Sequence, residues 1–348
     1  MFSVAMLPPI AVSLIFDDGV WQPFFYSFLL ILTLGVLLFL PVRNARKDLR
    51  LRDGFLVVAS FWLVLGPIGA MPLWLSPEPS MTLTEAVFES ISGLTTTGAT
   101  VIIGLDGLPQ SILFYRQQLQ WLGGMGIIVL AVAVLPMLGV GGMQLYRAET
   151  PGPVKDTKLT PRITETAKAL WYGYLGFTVF CARAYWLAGM GVFDAICHSF
   201  STVAIGGFST HDLSIGHFNS PAIESVAIGF MMLAGINFSL HFFAWRNNSI
   251  SHYFEDPECR AYAFILITLS VVVCVGLLNT QTIEGPGQTI LDSAFQAVSM
   301  ATTTGFTTAN YAAWPGAIPV LLIFARFIGG CAGSPAGGLK VMRALLLY

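Results

Sequence analysis

One pattern occurs three times along this chain and constrains its fold more than any other feature. It occupies residues 85–101, 194–210 and 292–308. Each copy opens with an acidic residue, has a serine seven positions later and has a glycine thirteen positions later. These residues are Glu85, Ser92 and Gly98, then Asp194, Ser201 and Gly207, then Asp292, Ser299 and Gly305. Three matched offsets at three places indicate an internal repeat.

Each copy predicts a short helix that runs into an extended, hydroxyl-rich strip. The acidic residue suits the positively polarised first turn of a helix, and the glycine permits positive φ. A helix of about ten residues is roughly 15 Å long, about half of a ~30 Å hydrocarbon core. Non-helical backbone at that depth is tolerated only where protein buries it or where it lines a water-filled cavity. The pattern therefore predicts three re-entrant pore loops, whose carbonyls would replace the hydration shell of a cation.

The composition places the chain in a membrane. Hydrophobic residues make up 55% of the 348 residues and charged residues 10%, which is typical of a polytopic membrane protein. Eight candidate spans lie near residues 2–16, 21–42, 55–75, 111–139, 170–189, 222–245, 261–279 and 316–333. The five cysteines lack the spacing of a metal site, so we expect them to be small buried hydrophobes.

Basic residues predict the orientation of the spans, because Lys and Arg favour cytoplasmic loops. They occur in alternate loops and after the last span: Arg43, Arg46, Lys47, Arg50, Arg52, Arg147, Lys155, Lys158, Arg162, Lys168, Arg246, Arg260, Lys340 and Arg343. The intervening loops carry acidic residues instead. We therefore expect both termini in the cytoplasm and all three pore loops open to the outside. The acidic outer face either concentrates cations or is only the complement of the basic inner face.

Three arginines lie within or beside predicted spans. Arg116 is expected to pair with Glu89 or a carbonyl behind the first loop, with contact to a permeant ion as the alternative. Arg183, near a span end, is expected to extend its charge to the interface. Arg326 is either part of a gate or a damaging charge.

Three histidines, His198, His211 and His217, fall on the predicted outer side. Their spacing in the sequence matches no metal site. The expected role is packing or capping on the outer face, and pH sensing is the alternative.

Two glycine clusters have different expected roles. Gly123, Gly124 and Gly126 indicate close helix packing within a span. The second cluster contains Pro335 and cannot form a regular helix; its glycines are Gly329, Gly330, Gly333, Gly337 and Gly338. Because this cluster follows the third pore loop, it predicts an irregular segment below the filter. A mobile gate is the preferred interpretation and a static kink the alternative.

Several runs resemble a known family: ESISGLTTTGATVIIGLD, FYRQQLQWLGGMGIIVLAVAVLP, GGMQLYRAETPGPVKDTKLTPRITETAKALWY, HSFSTVAIGGFSTHD and FIGGCAGSPAGGLKV. They resemble the Trk/Ktr/HKT superfamily of potassium transporters over essentially the whole chain. The resemblance implies an all-α polytopic membrane protein with two leading helices in residues 1–53. Three helix–pore loop–helix repeats would follow, in residues 54–145, 146–250 and 251–348.

The resemblance also implies functional residues and partners. The selectivity filter, and with it the potassium site, would comprise Thr96, Thr97, Gly98, Ile205, Gly206, Gly207, Thr303, Thr304 and Gly305. The gate would comprise Arg326, Gly329, Gly330, Gly333, Ser334, Gly337 and Gly338. The implied function is K⁺ uptake across the bacterial inner membrane, with or without H⁺ coupling. Implied partners are the lipid bilayer, a second copy in a homodimer and a cytoplasmic TrkA-like nucleotide-binding subunit. No cofactor, nucleic acid or enzymatic activity is implied.

Two departures from the family pattern keep an alternative open. The family has four repeats, whereas the loop acids here are spaced 109 and 98 residues apart and a fourth copy would lie beyond Tyr348. The gating segment reads GSPAGG where GSTGGG is usual, and Arg326 replaces a small or apolar residue. We therefore expect three loops around an axis with one quadrant open, lined by spans four and eight. The alternative function is a non-conducting fragment or an assembly component that lacks the fourth pore wall. A membrane enzyme is disfavoured because no HExxH motif or intramembrane aspartate pair occurs.

Overall fold

The computed structural model describes residues 2–44, 51–134, 163–283 and 285–347. Within these ranges the chain is helical apart from turns and loops, with one isolated bridge between Ile328 and Leu339. The prediction of an all-α protein is confirmed. Residues 46, 47, 50, 147, 155, 158 and 162, which contribute to the orientation argument, lie outside the described ranges.

Fifteen α-helices are defined within the described residues. The leading segment and first repeat contain α1 (Leu7–Phe16), α2 (Trp21–Phe39), α3 (Leu51–Gly69), α4 (Met71–Leu75), α5 (Leu83–Leu94) and α6 (Gln110–Val134). The second repeat contains α7 (Ile163–Leu187), α8 (Val192–Val203), α9 (Pro221–Ala234) and α10 (Phe238–Arg246). The third contains α11 (Ser251–Glu255), α12 (Pro257–Thr280), α13 (Pro286–Ala301), α14 (Ile318–Ala325) and α15 (Val341–Leu346).

In the described part of the chain, two helices are long and apolar enough to cross a membrane: α2, extended to Val42, and α12. The pair α9 and α10 would be a third, but it bends by 94° at the break between them. The apolar segment expected as a span at 222–245 is thus a bent pair of helices, because Asn237 caps α10 by accepting a hydrogen bond from the amide of Ser239 and so starts a new helix. The segment expected as a span at 316–333 is α-helical only over α14, which ends at Ala325 before the glycine-rich sequence.

Three pore helices, α5, α8 and α13, precede the three loops. The capping box of Thr82 and Glu85 starts α5, and Asp194 lies in the first turn of α8, as the repeat predicts. The third copy differs, because α13 begins at Pro286 and Asp292 lies well inside the helix. Proline is favoured at the first helical position, so the helix starts there rather than at the acidic residue.

The buried apolar side chains form three main clusters that follow the order of the repeats. One joins α1, α2, α4, α5 and α6. A second joins α7, α8 and α9 and includes Phe295 and Phe306 of the third repeat. A third joins α12, α13 and α14. Because Phe295 and Phe306 belong to the second cluster, the second and third repeats share a core.

Helix α6 packs against the ends of two pore helices through small residues. A Cβ added to Gly123 would lie 1.8 Å from the Leu94 carbonyl oxygen at the end of α5. A Cβ added to Gly124 would lie 2.7 Å from Ala204, directly after α8. The prediction of close packing is confirmed for Gly123 and Gly124, whereas Gly126 has φ of 31° and kinks the helix.

We predict that Gly123→Ala destabilises the protein by about 1–3 kcal/mol, because its Cβ meets backbone that cannot move aside. The control is Gly176→Ala in α7, where an added Cβ has no atom within 4 Å. That control should change stability by no more than about 1 kcal/mol, in the stabilising direction. Thermal unfolding in detergent measures both. Equal melting temperatures for the two variants would contradict the packing argument.

Candidate functional site: three loops around a shared axis

Each pore helix passes into its loop through the same hydrogen bond. Loop 1 (residues 95–101), loop 2 (204–210) and loop 3 (302–308) each contain one aligned glycine. The amide of the residue before that glycine donates to the carbonyl of the serine five positions earlier. The bonds join Thr97 to Ser92 at 2.9 Å, Gly206 to Ser201 at 2.8 Å and Thr304 to Ser299 at 2.9 Å. The three repeats therefore have one loop geometry.

The aligned glycines have positive φ, as predicted. The values are 75° at Gly98, 78° at Gly207 and 89° at Gly305. A second residue in each loop, two positions earlier, also has positive φ: Thr96 at 54°, Ile205 at 56° and Thr303 at 66°. Sequence reasoning missed this second left-handed position, because β-branched residues rarely adopt it.

The loops contact one another in chain order. A Cβ added to Gly98 would lie 2.1 Å from the carbonyl oxygen of Gly206, and one added to Gly207 would lie 2.0 Å from that of Thr304. Each contact therefore joins the glycine of one loop to the residue before the glycine of the next. A Cβ added to Gly305 would meet no described atom within 4 Å.

Loop 2 is the middle of the three. All its residues except Gly207 are buried, whereas Thr97 in loop 1 and Gly305 in loop 3 are exposed. Among the described residues, the ring of loops is thus open between loop 3 and loop 1. Whether spans four and eight line this opening stays a prediction, because part of span four lies outside the described ranges.

Several loop carbonyls are held by protein donors. Ser92 Oγ donates to the carbonyl of Ala99 at 2.6 Å, and Ser299 Oγ donates to that of Phe306 at 2.7 Å. The carbonyl of Gly206 accepts from Gln120 Nε2 at 2.7 Å. These bonds orient the backbone on both sides of the glycines.

Other loop carbonyls have no such donor. Within the described ranges, no protein donor reaches the carbonyls of the left-handed residues Thr96, Gly98, Ile205, Gly207, Thr303 and Gly305. A carbonyl without a protein partner must be satisfied by water or by a cation. These six oxygens are therefore available as ligands for a hard cation.

Within loop 1, and likewise within loop 3, two threonine hydroxyls are hydrogen-bonded to each other. Thr95 Oγ1 lies 2.7 Å from Thr97 Oγ1, and Thr302 Oγ1 lies 2.7 Å from Thr304 Oγ1. Thr302 and Thr304 are buried. These hydroxyls fix the shape of the loops.

Arg116 and Glu89 form a buried ion pair behind loop 1. Arg116 Nε lies 2.8 Å from Glu89 Oε1, and both side chains are at most 1% exposed. Arg116 also donates to Thr100 Oγ1 at 3.1 Å and to the Ser209 carbonyl at 3.2 Å. Its guanidinium lies 4.4 Å from the centre of the Phe208 ring. The expected pairing with Glu89 is confirmed, and the same arginine joins the ends of loops 1 and 2.

Two glutamines that follow Arg116 on α6 hold the end of α8 and loop 2, and sequence reasoning missed them. Gln117 Oε1 accepts a hydrogen bond from Ser201 Oγ. Gln120 Oε1 accepts from the amide of Phe208 at 3.0 Å, while its Nε2 holds the Gly206 carbonyl. The available signal was the unusual density of amide side chains in the apolar run YRQQLQWLGG.

The acidic residues of the second and third copies hold the ends of their loops. Thr210 Oγ1 donates to Asp194 Oδ1 at 2.8 Å, and Thr308 Oγ1 donates to Asp292 Oδ1 at 3.2 Å. In the first copy Glu89 takes this role through Thr100, and Glu85 remains exposed in its capping box. Hydrogen bonds from Thr82 lower the pKa of Glu85.

The histidines on the outer side are brought together by the fold. The rings of His211 and His217 stack with centroids 3.5 Å apart, and both face Asp106. His198 is buried beneath them, with Nε2 2.9 Å from Ser209 Oγ. Burial lowers the pKa of His211, but the Asp194 and Asp106 carboxylates outweigh it, so the net pKa is raised. The sequence spacing of the histidines matches no metal site, but the fold brings Asp106, His211 and His217 close enough together to share an ion.

The second glycine cluster forms an irregular segment, residues 326–340, as predicted. It is called the glycine segment below. The two ends of the segment are joined by a hydrogen bond from the amide of Gly329 to the carbonyl of Leu339, at 2.9 Å. Lys340 Nζ donates to the carbonyls of Ser334, at 3.0 Å, and Ala336. Glu258 Oε1, from α12, accepts from the amide of Ala332 within the segment at 2.7 Å and from that of Met342 just after it at 3.0 Å.

The glycine segment contacts the start of two loops. The amide of Gly337 donates to Thr303 Oγ1 at 2.8 Å. Ala336, which is 4% exposed, packs with Ile205 and Ala234. Arg326 is exposed at the end of α14, where a cation suits the helix C-terminus. Sequence reasoning therefore placed the segment beside the loops but did not foresee the bond to Thr303.

Comparisons with known proteins agree with this architecture. The sequence profile of the TrkH family, described as cation transport protein, matches residues 21–348. The chain is 58% identical to the Trk system potassium uptake protein TrkH of Halomonas elongata and 54% identical to that of Escherichia coli K12. Each alignment covers 100% of this chain and 72% of the relative. The crystal structure of the potassium transporter TrkH from Vibrio parahaemolyticus has a TM-score of 0.89 and 52% identity. That likeness covers 99% of this chain and 71% of the solved chain.

We predict that Arg116→Gln lowers stability by about 3–5 kcal/mol, because it leaves the Glu89 carboxylate buried without its partner. The double variant Glu89→Gln/Arg116→Gln should cost less than the sum of the two single variants. Arg183→Gln is the control, since Arg183 is exposed. Thermal unfolding in detergent gives all four values. Strict additivity would show that the pair is not coupled.

Proposed function

This chain belongs to the TrkH family of cation transport proteins, and we propose that it takes up potassium ions through the passage lined by its three loops. The observation that carries this proposal is the set of six loop carbonyls without protein donors. Carbonyl oxygens replace the hydration shell of a potassium ion in filters of this kind. The names of the relatives, which are potassium uptake proteins, support the choice of ion.

In this proposal the filter is formed by Thr96, Thr97, Gly98, Ile205, Gly206, Gly207, Thr303, Thr304 and Gly305. Their roles differ. The left-handed residues supply carbonyls to the ion, while Thr97, Gly206 and Thr304 hold each loop to its serine. The contacts of Gly98 and Gly207 with the next loop support this division, because a Cβ there would push two filter strands apart.

The glycine segment is proposed as the gate beneath the filter. Its contacts with Thr303 and Ile205 support this role, because they place it at the start of loops 2 and 3. Lys340 and Glu258 would hold the closed form, since both satisfy backbone groups of a segment that has few regular hydrogen bonds.

The cellular setting is proposed by relationship to the family. The protein would lie in the bacterial inner membrane with cytoplasmic termini, as a homodimer and with a cytoplasmic TrkA-like nucleotide-binding subunit. Transport would be passive or coupled to protons. The acidic residues on the proposed outer side, such as Asp106 and Asp194, support entry of cations from that side.

A second candidate function is an assembly component whose pore is completed by other residues. The opening at Gly305 and Thr97 favours it, because an ion beside loop 3 would lack protein on one side. Potassium flux into liposomes that contain only this 348-residue chain separates the candidates. Selective flux supports the complete passage, and no flux supports the component.

We predict that Gly98→Ser or Gly207→Ser in the full-length protein lowers discrimination of K⁺ over Na⁺ by roughly tenfold, equivalent to about 1.4 kcal/mol. Each adds a Cβ at positive φ and against a carbonyl of the next loop. Gly104→Ser is the matched control, because Gly104 has φ of 77° but no atom within 4 Å of its added Cβ. Competition of Na⁺ against K⁺ uptake in proteoliposomes measures the ratio. A similar loss of discrimination in the control would assign the effect to strain alone.

We also predict that Lys340→Met raises potassium flux severalfold and leaves the K⁺/Na⁺ ratio unchanged. The substitution removes two hydrogen bonds within the glycine segment, each worth about 1.5–3 kcal/mol when the donor is charged. Arg246→Met, which removes an exposed cation at the end of α10, is the control. The proposed gate is wrong if Lys340→Met changes the ion ratio without changing the rate.

A further inference from the structure

Three side chains from two repeats converge above the loops. Asp106 lies in the 3₁₀ turn Leu105–Gly107 after loop 1. His211 directly follows loop 2, and His217 lies in the 3₁₀ turn Ser214–Phe218. The Nδ1 atoms of His211 and His217 are 2.5 Å and 3.9 Å from the same Asp106 Oδ1. One ligand atom from each residue lies within 4.8 Å of the other two.

We propose that Asp106, His211 and His217 bind a transition-metal dication of the zinc class at the outer mouth, and that the bound ion slows potassium entry. Two imidazole nitrogens and one carboxylate oxygen are ligands that zinc prefers. Tetrahedral bonds of about 2.0–2.1 Å would place ligand atoms roughly 3.3 Å apart. His217 and Asp106 have room to rotate toward that spacing, because these side chains are 42% and 49% exposed.

A second observation concerns the other nitrogen of His211. His211 Nε2 is buried, has no hydrogen-bond partner among the described residues and lies 3.6 Å from Asp194 Oδ1. Asp194 is itself held by Thr210 Oγ1. In metal sites a ligating histidine commonly directs its second nitrogen to a carboxylate, which fixes the ring and its tautomer. The arrangement of Asp194 behind His211 matches this pattern, and Nδ1 is the nitrogen that faces Asp106.

The location determines the effect on transport, which rests on the proposed function. The ligands belong to the segments that follow loops 1 and 2, so a bound ion would link the outer ends of two repeats. It would also add two positive charges to an entrance that otherwise attracts cations. Potassium entry should fall while the ion is bound and recover after chelation.

Binding is tested directly on the purified full-length protein, with Co²⁺ as a spectroscopic probe and Zn²⁺ as competitor. We expect one saturable site, at least tenfold weaker in His217→Gln and absent in His211→Gln/His217→Gln. His252→Gln and Asp17→Asn, which remove a histidine and an exposed carboxylate elsewhere, should bind like the wild type. No saturable binding by the wild type, or equal binding by the double variant, would overturn the site.

Uptake into proteoliposomes, with and without external Zn²⁺, tests the consequence. Each rate is divided by the rate of the same variant after chelation. Zinc should reduce the wild-type rate severalfold and should have little effect on His217→Gln. Unchanged uptake by zinc-loaded wild type would overturn the inhibitory role. Absence of potassium uptake by all variants, with Co²⁺ binding intact, would refute the proposed function and leave the metal site standing.

Discussion

The three loops depend on one hydrogen bond, from the amide before each glycine to the serine carbonyl at the end of its pore helix. The last carbonyls of a helix have no partner within the helix. In a membrane they cannot rely on lipid, so the chain must return a donor to them. The amides of Thr97, Gly206 and Thr304 are these donors. The residue before and the residue after each of them are left-handed, so the chain turns at this point. The unpaired carbonyls follow from this turn.

The sequence predicted the part of this geometry that only glycine can supply. Gly98, Gly207 and Gly305 were found because a residue without Cβ is required there and recurs at a fixed offset. Thr96, Ile205 and Thr303 have the same sign of φ, but their side chains argue against it. Tertiary contacts override that local preference, and no single-sequence pattern reports such contacts. The start of α13 was mispredicted for a simpler reason, since a proline outweighed an acidic residue.

The same loop shape is supported by different chemistry in each repeat. Loop 1 is held by the Arg116–Glu89 pair, loop 2 by glutamines of α6 and by Asp194, and loop 3 by Asp292. The pairing of Arg116 could be predicted, because a buried charge demands a partner. The partners of the glutamines and the cluster around Asp106 could not, since a buried amide can bond to many different backbone or side-chain groups and His211 lies far from Asp106 in the chain.

The glycine segment contacts Ile205 and Thr303, two β-branched residues whose backbone is in the unfavourable left-handed conformation. Left-handed backbone costs a β-branched residue roughly 1–2 kcal/mol, which surrounding contacts must offset. For Thr303 one such contact is the amide of Gly337, and for Ile205 it is the side chain of Ala336. Movement of the segment therefore removes support from the start of loops 2 and 3. The glycines themselves stay tied to Ser201 and Ser299 through the preceding amides. If this segment is the proposed gate, its movement acts on the carbonyls of Ile205 and Thr303, while the carbonyls of Gly207 and Gly305 keep their places in the proposed filter.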